Sequence, residues 1–270
     1  MDFTNIVCLD DFIVKLKNTN YEQLHIEDEC CNNTYLLAAK NGLLDVMKYL
    51  ETGYHWNLYL KNIFGYDAYL LAVVNGHLHI MKYLETEYSW NSSVKEYRHG
   101  RNAYMLAAIH NHLDIIEYLE FKMSTNKIKI DDIDNYGYTA YLYSIKYGHV
   151  DIMMHLEHIG TDIYVKNNFK LNAYLIAAKH GRLEIMKYLE NETDIDILSR
   201  DVKGYDAYLY AACGNHVEVI KHLDELKWNK NTKNKLGQNV MTLADGNNSL
   251  DVIEYILNRD GIPNIIDNEV

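Results

Sequence analysis

A block of about 33 residues recurs along the chain, and this internal repetition constrains the fold more than any other feature of the sequence. One clear copy runs from Asp67 to Glu85, and its third residue recurs at intervals of 33 to 37 residues as Tyr35, Tyr69, Tyr104, Tyr141, Tyr174, Tyr208 and Met241. Each block contains two short helical patterns that cannot bury their apolar faces alone. Stacking of successive blocks would complete a shared core, so the sequence predicts a repeat protein.

Two columns of the repeat mark the ends of its first helix. The residue that opens this helix always has a side-chain oxygen that can accept from the unpaired N–H groups of the first turn: Asn33, Asp67, Asn102, Thr139, Asn172, Asp206 and Asn239. Removing one such acceptor, at Asp206, is expected to cost about 1 kcal/mol. The residue between the two helices is always Gly or Asn, which tolerate the left-handed conformation: Gly42, Gly76, Asn111, Gly148, Gly181, Asn215 and Asn248.

Polar segments with a turn signal join the repeats just before each first helix, as at Asn62–Gly65 and Asp201–Gly204. Glycine in these segments supplies the positive φ that a tight turn requires, so we predict β-hairpin loops. Lys170 stands where one of these glycines is expected, which predicts a distorted tip in that repeat.

These columns together resemble the ankyrin repeat family, whose pattern is D-x-x-G-x-T-P-L-H-x-A-A-x-x-G-H. One repeat matches the pattern at Asp134, Gly137, Thr139, Ala140, Gly148 and His149, and at least five others match it closely. The departure is systematic, because T-P-L-H has become N-A-Y-L. This tyrosine-rich, proline-poor variant resembles the ankyrin repeat proteins of giant DNA viruses.

The resemblance covers residues 28–258 and implies a mainly α fold. The predicted architecture is an ankyrin repeat solenoid of about seven helix-turn-helix units linked by β-hairpin loops. Residues 1–27 contain no full motif and are predicted to be an N-terminal capping segment, since terminal repeats need a polar outer face. Residues 259–270 are predicted to be a C-terminal tail, and the whole chain is expected to form a single continuous domain.

Composition excludes several classes of protein. A formal charge of -12 argues against a basic nucleic-acid-binding domain. The apolar runs are shorter than the roughly 18–20 residues needed to cross a bilayer, and the N-terminus lacks the basic region of a secretory signal. The four cysteines form no C-x-x-C spacing and are interpreted as reduced thiols. We therefore expect an intracellular, cytoplasmic monomer without membrane contact, located in the host cytoplasm if it is viral.

No motif indicates catalysis, a cofactor or a metal. The sequence has no G-x-S-x-G, no phosphate-binding G-x-x-x-x-G-K and no paired-acid motif. The adjacent Cys30 and Cys31 are interpreted as ordinary thiols. His77 and His79 have the spacing of a metal pair, but no Cys or carboxylate stands at a matching position. We therefore predict no enzyme, no cofactor and no metal site.

Three further columns are predicted to be structural. The histidines that follow the Gly or Asn turn are interpreted as hydrogen-bonding groups at a helix start or between repeats: His77, His112, His149 and His216. The tryptophans are expected to pack on inter-repeat loops: Trp56, Trp90 and Trp228. A tyrosine column of the second helix is predicted to be half-buried with its hydroxyl in water: Tyr49, Tyr83, Tyr118, Tyr188 and Tyr255. Asp224, near the end of a second helix, is expected to be exposed.

The resemblance implies that the hairpin tips and the last residues of the first helices form a concave, partner-binding face. In five central repeats these 25 positions contain five Lys or Arg, seven aromatic residues and no Asp or Glu, whereas the average composition would place about 3.5 acids there. The predicted partner-binding residues are Phe64, Tyr66, Arg98, His99, Arg101, Tyr136, Tyr138, Lys146, Tyr147, Phe169, Lys179, His180, Lys203 and Tyr205. The alternative interpretation is that the tyrosines after the hairpin glycine are part of the repeat consensus and that chance explains the rest.

This composition predicts a non-enzymatic scaffold that binds a protein partner with an acidic or phosphorylated surface, because aromatic residues and arginine are enriched where interfaces gain most affinity. One alternative is a nucleic-acid-binding repeat protein, since basic residues interleaved with aromatic residues can stack bases. The overall negative charge disfavours that alternative. An enzyme or an obligate enzyme subunit is a third hypothesis that no motif supports.

Overall fold

The structure is a computed structural model that describes Asp10, Val14 and residues 27–54, 57–90, 94–122 and 129–261. Its contacts divide the chain into two compact units, Met1–Asn135 (unit 1) and Tyr136–Val270 (unit 2). Most of the predicted capping segment, most of the predicted tail, and Trp56 lie outside the described residues. The predicted domain boundaries and the single continuous domain therefore stay predictions.

Helices in pairs make up both units. Unit 1 has three pairs: α1 Thr34–Lys40, α2 Leu44–Tyr54, α3 Ala68–Val74, α4 Leu78–Tyr88, α5 Ala103–Ile109 and α6 Leu113–Phe121. Unit 2 has four: α7 Ala140–Tyr147, α8 Val150–His158, α9 Ala173–Lys179, α10 Leu183–Glu192, α11 Ala207–Cys213, α12 Val217–Glu225, α13 Val240–Gly246 and α14 Leu250–Arg259. The described part of the chain thus contains the seven predicted helix pairs.

The predicted helix ends are confirmed in every repeat. All seven N-cap side chains accept a hydrogen bond from the backbone N–H three residues later, for example Asn172 Oδ1 from Leu175 N at 3.0 Å. All seven Gly or Asn residues of the turn have positive φ, between 54° and 82°. The N-cap side chain and the left-handed Gly or Asn that follows the helix therefore fix the length of each first helix.

The segments between repeats are turns rather than β-hairpins. Within the described residues no strand is formed, and the isolated bridge between Lys95 and Asn102 is the nearest approach to one. Five of the turns are organised by a buried polar side chain, as where Asn167 Oδ1 accepts from Phe169 N at 2.9 Å and Leu171 N at 3.0 Å. With one backbone bond, from Asn167 N to Leu171 O at 3.0 Å, this side chain closes the turn without the longer ladder of backbone bonds that a strand would need.

Lys170 does not distort its turn, contrary to the sequence-based expectation. Its φ is 64°, in the left-handed region that glycine occupies elsewhere, and its N–H donates to Asn167 O at 2.9 Å. The glycine at the same place in the first complete turn, Gly65, donates to Asn62 O at the same distance of 2.9 Å. The lysine therefore adopts the glycine conformation, at the energetic cost that a Cβ atom has there.

Replacing Lys170 with glycine should stabilise the protein. A left-handed conformation costs an L-residue about 1–2 kcal/mol, and glycine removes this cost. Glycine also loses more conformational entropy on folding, which offsets about 0.5–1 kcal/mol of the gain. Since the Lys170 side chain is exposed, we expect a net increase of about 0.5–1 kcal/mol in the free energy of unfolding, measured by urea denaturation. Lys203→Gly is the matched control, because exposed Lys203 has no positive φ, and it should destabilise. A loss of stability in both variants would contradict this account.

A ladder of buried tyrosines and half-buried acids joins neighbouring repeats, and we call its acids the carboxylate ladder: Glu51, Glu85, Glu120, Glu157, Glu190 and Asp224. Each accepts a hydrogen bond of 2.6–2.7 Å from the tyrosine 16 residues earlier, in the first helix of its own repeat. All six of these tyrosines are buried. This contact explains why the sequence has tyrosine where the family pattern has leucine.

The other oxygen of most ladder acids binds the next repeat. Tyr118 donates to Glu85 at 2.6 Å, Tyr188 to Glu157 at 2.6 Å and Tyr255 to Asp224 at 3.0 Å. Tyr83 donates to Glu51 in the same way, and His222 Nε2 lies 2.9 Å from Glu190. The expectation that this tyrosine column points its hydroxyls into water is therefore wrong for these four tyrosines, because a carboxylate of the preceding repeat lies within reach.

Asp224 is also not the exposed residue that its place in the sequence indicated. It accepts from Tyr208 at 2.7 Å and from Arg259 Nη1 at 2.8 Å, in addition to Tyr255. Its side chain is 9% exposed. Asp224 therefore connects three helices of unit 2.

The histidine column forms the predicted hydrogen bonds between repeats. His77 Nε2 donates to Lys40 O at 3.0 Å, and His112 Nε2 donates to Val74 O at 3.0 Å. Both acceptors are carbonyl groups at the end of the preceding first helix, which have no partner within their own helix. His79 donates to Gly42 O at 3.2 Å, so the pair that resembled metal ligands binds backbone instead.

Candidate partner-binding surface

In unit 1 the predicted partner-binding residues lie at two adjacent turn tips. Backbone bonds join the tips, since Tyr97 N donates to Phe64 O at 3.0 Å. Phe64 is 37% exposed and Arg98 is exposed, whereas Tyr66 and His99 are half-buried. The surface of unit 1 therefore presents one apolar and one basic residue of the predicted set most openly.

Arg101 is a structural residue of its turn rather than an exposed tip. Its Nε donates to Glu96 Oε1 at 3.1 Å, and its side chain is 15% exposed. Burial alone would raise the pKa of Glu96, but the N–H groups of Arg98, His99 and Arg101 and the guanidinium hold it below its usual range. The ion pair uses the charge of Arg101 inside the turn, so this residue is a weaker candidate for partner contact.

In unit 2 two neighbouring tips place aromatic rings side by side. Tyr136 and Phe169 stack with their ring centres 6.4 Å apart, and they are 43% and 44% exposed. Asn168 N donates to Tyr136 O at 3.0 Å, which fixes the separation of the two tips. Lys203 is exposed on the tip of the next repeat. These tips form a partly apolar edge that an incoming protein could cover.

A second group of tyrosines lies at the end of α7. Tyr138 is buried and stacks on Tyr143 at 5.1 Å, and Tyr143 lies 6.4 Å from Tyr147. The Lys146 ammonium lies 5.4–5.8 Å from the centres of these three rings. Tyr147 is 38% exposed. Tyr138 thus supports the surface from below, while Tyr147 and Lys146 can reach a partner.

The same arrangement is repeated near the end of α9. The Lys179 ammonium lies 5.2 Å from the centre of the Tyr210 ring, and half-buried Tyr205 lies 5.2 Å from the same ring. Tyr210 donates to the buried Asp201 at 2.7 Å, and burial followed by this bond raises the pKa of its hydroxyl. The ring therefore stays neutral and fixed, and it holds an exposed cation above it.

His180 lies among cations. Burial lowers its pKa to about 4, together with the charges of Lys146, Lys179, Arg182 and His216. Each of these groups is cationic or becomes so on protonation, and all of them disfavour a further positive charge on His180. This part of unit 2 is thus electropositive in a protein whose net charge is -12.

A family model of ankyrin repeats in three copies matches residues 35–131, 146–234 and 174–269. The chain belongs to the ankyrin repeat family. A search of curated proteins finds no match. Ankyrin repeats generally mediate protein–protein interactions, and their stacked repeats offer extended surfaces for this purpose.

Two absences concern only the parts of this ankyrin repeat chain that the structure describes. In these ranges no helix combines the length and the apolar character needed to cross a bilayer. The same ranges contain no group of three or more His, Cys, Asp or Glu side chains arranged to hold a metal ion.

Sequence reasoning missed three residues of this ankyrin surface. Tyr143 and Tyr210 support the two lysines from a column that is otherwise aliphatic, and Arg182 stands in the histidine column. Each is an exception within its column, and that exception is the signal that could have identified them. The role of the predicted partner-binding residues themselves stays a prediction.

Proposed function

We propose that this ankyrin repeat protein binds an acidic or phosphorylated surface of another protein through its turn tips and the ends of its first helices, which in the family form the concave face. The observation that carries the proposal is the separation of charge at these positions. The cations Arg98, Lys179 and Lys203 are exposed, whereas the turn acids Glu96 and Asp201 are buried.

Burial of the turn acids leaves lysine and arginine as the charged groups exposed at these turn tips. Glu96 and Asp201 are 2% and 7% exposed, and both use their oxygens to accept backbone N–H groups of their own turns. The exposed lysines and arginine would therefore attract an acidic partner and orient it during encounter. The rings of Phe64, Tyr136 and Phe169 would supply the contact area that affinity requires.

The setting of this interaction is part of the same proposal. Cys30, Cys31 and Cys213, the cysteines that the structure describes, are free thiols, which favours a partner in a reducing, intracellular compartment. A monomer that presents one surface to a different protein is the simplest arrangement. A nucleic acid is the competing ligand, and its binding would weaken steeply with salt because phosphate contacts release counterions.

Charge reversal on the proposed surface should abolish capture of the partner. The test set changes four lysines or arginines to glutamate and leaves out Arg101, whose charge is used inside its turn: Arg98, Lys146, Lys179 and Lys203. The matched control set reverses four lysines of the second helices: Lys48, Lys82, Lys187 and Lys221. We expect quantitative mass spectrometry of nuclease-treated pull-downs from the native cell to lose the wild-type partners with the test set and to keep them with the control set.

Two outcomes of the pull-down would contradict the proposal. If the test set keeps the partners and the control set loses them, the interaction surface lies on the second helices. If nuclease treatment removes every captured species, the ligand is a nucleic acid. Helical circular dichroism should remain unchanged in both sets, because the altered side chains are exposed or half-buried.

A further inference from the structure

We propose that unit 2 carries a binding site for the phosphate group of a phosphorylated protein side chain. The site, which we call the phosphate site, lies at the ends of α7 and α9 and in the turns that follow α9 and α11. Its residues are Lys146, Lys179, His180, Arg182 and His216. The inference rests on the proposed function and specifies the chemical group that this part of the surface recognises.

Backbone contacts hold these side chains in one place. Arg182 Nε donates to Lys146 O at 3.2 Å, and His216 Nε2 donates to Lys179 O at 3.1 Å. Each bond connects the start of a second helix to the end of the first helix in the preceding repeat. The side chains of Arg182 and His216 are therefore positioned before any ligand arrives, which reduces the entropy lost on binding.

Aromatic rings restrict the two lysines as well. The Lys146 ammonium lies over Tyr138, Tyr143 and Tyr147, at 5.4–5.8 Å from their centres. The Lys179 ammonium lies 5.2 Å from the centre of the Tyr210 ring. A ring face attracts a cation without neutralising it, so these rings position the two ammonium groups and do not compensate their charge.

His180 reports the charge of the site. The charged or titratable groups that act on it are Lys146 from α7, Lys179 from its own helix, and Arg182 and His216 from the turns beside it. Burial, and after it the charges of these groups, lower the pKa of His180 to about 4, so the ring is neutral at pH 7. A dianion in the site would offset the repulsion from these cations, and His180 could then bind a proton and donate to the ligand.

A phosphate group fits this arrangement better than a carboxylate. A phosphorylated side chain carries about -1.5 to -2 charges at neutral pH and three strong acceptor oxygens. Two ammonium groups, the terminal N–H groups of one guanidinium and a protonated His180 can supply donors to all three oxygens, and the planar guanidinium suits a phosphate group. A single carboxylate would leave most of this positive charge uncompensated.

The test is an NMR titration of the full chain with phenyl phosphate, and with benzoate as a carboxylate probe of similar size. The signal of His180 is assigned by its loss in His180→Gln. We expect saturating phenyl phosphate to raise the pKa of His180 above its value of about 4, because the bound anion offsets the repulsion from the neighbouring cations. Benzoate should leave that pKa nearly unchanged.

Two variants show whether the named lysines form the site. The combined change of Lys146→Gln and Lys179→Gln should weaken phenyl phosphate binding by about tenfold or more, since charge-assisted contacts are the strong ones. The combined change of Lys187→Gln and Lys221→Gln removes the same charge from partly exposed second-helix positions and should leave binding unaltered. Equal weakening by both pairs would mean that only net charge matters and would overturn the proposal.

The remaining outcomes separate this inference from the proposed function. If benzoate shifts His180 as much as phenyl phosphate does, the site does not select phosphate, although an acidic partner can still bind the surface. If neither probe shifts His180 while the pull-down still depends on the test set, the phosphate site is refuted and the proposed function stands. If a single-stranded oligonucleotide displaces phenyl phosphate and binds much more tightly, the ligand is a nucleic acid and the proposal fails.

Discussion

Replacing Glu157 with alanine should lower the free energy of unfolding by about 3 kcal/mol, because two tyrosine hydroxyls lose a charged acceptor at once. Tyr141, in the same repeat, donates to Glu157 Oε1 at 2.7 Å, and Tyr188, in the next repeat, donates to Oε2 at 2.6 Å. The carboxylate raises the pKa of Tyr188 to about 12, mainly through this hydrogen bond. Urea denaturation followed by circular dichroism measures the change.

Glu225→Ala is the control for the loss of one acid. Glu225 ends α12 and is exposed, so its removal should change stability by less than about 0.5 kcal/mol. A mutant cycle gives the more specific test. Adding Tyr141→Phe and Tyr188→Phe to Glu157→Ala should cost less than the separate changes together, since no buried hydroxyl is then left without an acceptor. Additive costs would mean that the ladder contributes no interaction energy.

Asp206→Ala should cost about 2–3 kcal/mol, which is more than the loss of an N-cap alone. Asp206 accepts from Leu209 N at 3.1 Å, as the sequence predicted. Its second oxygen also accepts from Arg200 Nη2 at 2.7 Å and from the hydroxyl of Thr232. Arg200 is 43% exposed and can be rehydrated, which limits its share of the cost.

The control for Asp206 is a residue that only caps. Thr139 Oγ1 accepts from Leu142 N at 3.2 Å in the same unit, and Thr139→Ala should cost about 1 kcal/mol. Thr232→Val, which removes the hydroxyl and keeps the shape, should by itself lower stability by part of the difference between Asp206→Ala and Thr139→Ala. If Asp206→Ala and Thr139→Ala cost the same in thermal and urea unfolding, the contacts to Arg200 and Thr232 contribute nothing.

The spacing of the carboxylate ladder is present in the sequence, but only the structure shows that its tyrosines and acids are in contact. The tyrosine of the first helix is followed by an acid 16 residues later in six repeats, from Tyr35 and Glu51 to Tyr208 and Asp224. In the seventh repeat both partners change together, to Met241 and Leu257. Periodicity analysis assigns the tyrosine to a buried face and the acid to a polar face, and it does not pair positions on two different helices.

The candidate surface was predicted in outline and not in detail. The exposed members Phe64, Arg98, Tyr136, Phe169 and Lys203 lie at turn tips as the repeat register requires. Register alone does not show which charges remain available to a partner. Glu96, outside the predicted set, pairs with a residue inside it and removes Arg101 from the open surface.

The sequence by itself determined the local structure of this protein. The N-cap column, the Gly and Asn column and the spacing of about 33 residues specify seven helix pairs, because capping and backbone freedom act within a few residues of the chain. The tertiary structure decided what the polar side chains do. Asp224 became a junction of three helices, Lys170 adopted a glycine conformation, and Lys146 came to lie over three rings. These outcomes depend on distances between residues that are far apart in the chain, and such distances exist only once the repeats have stacked.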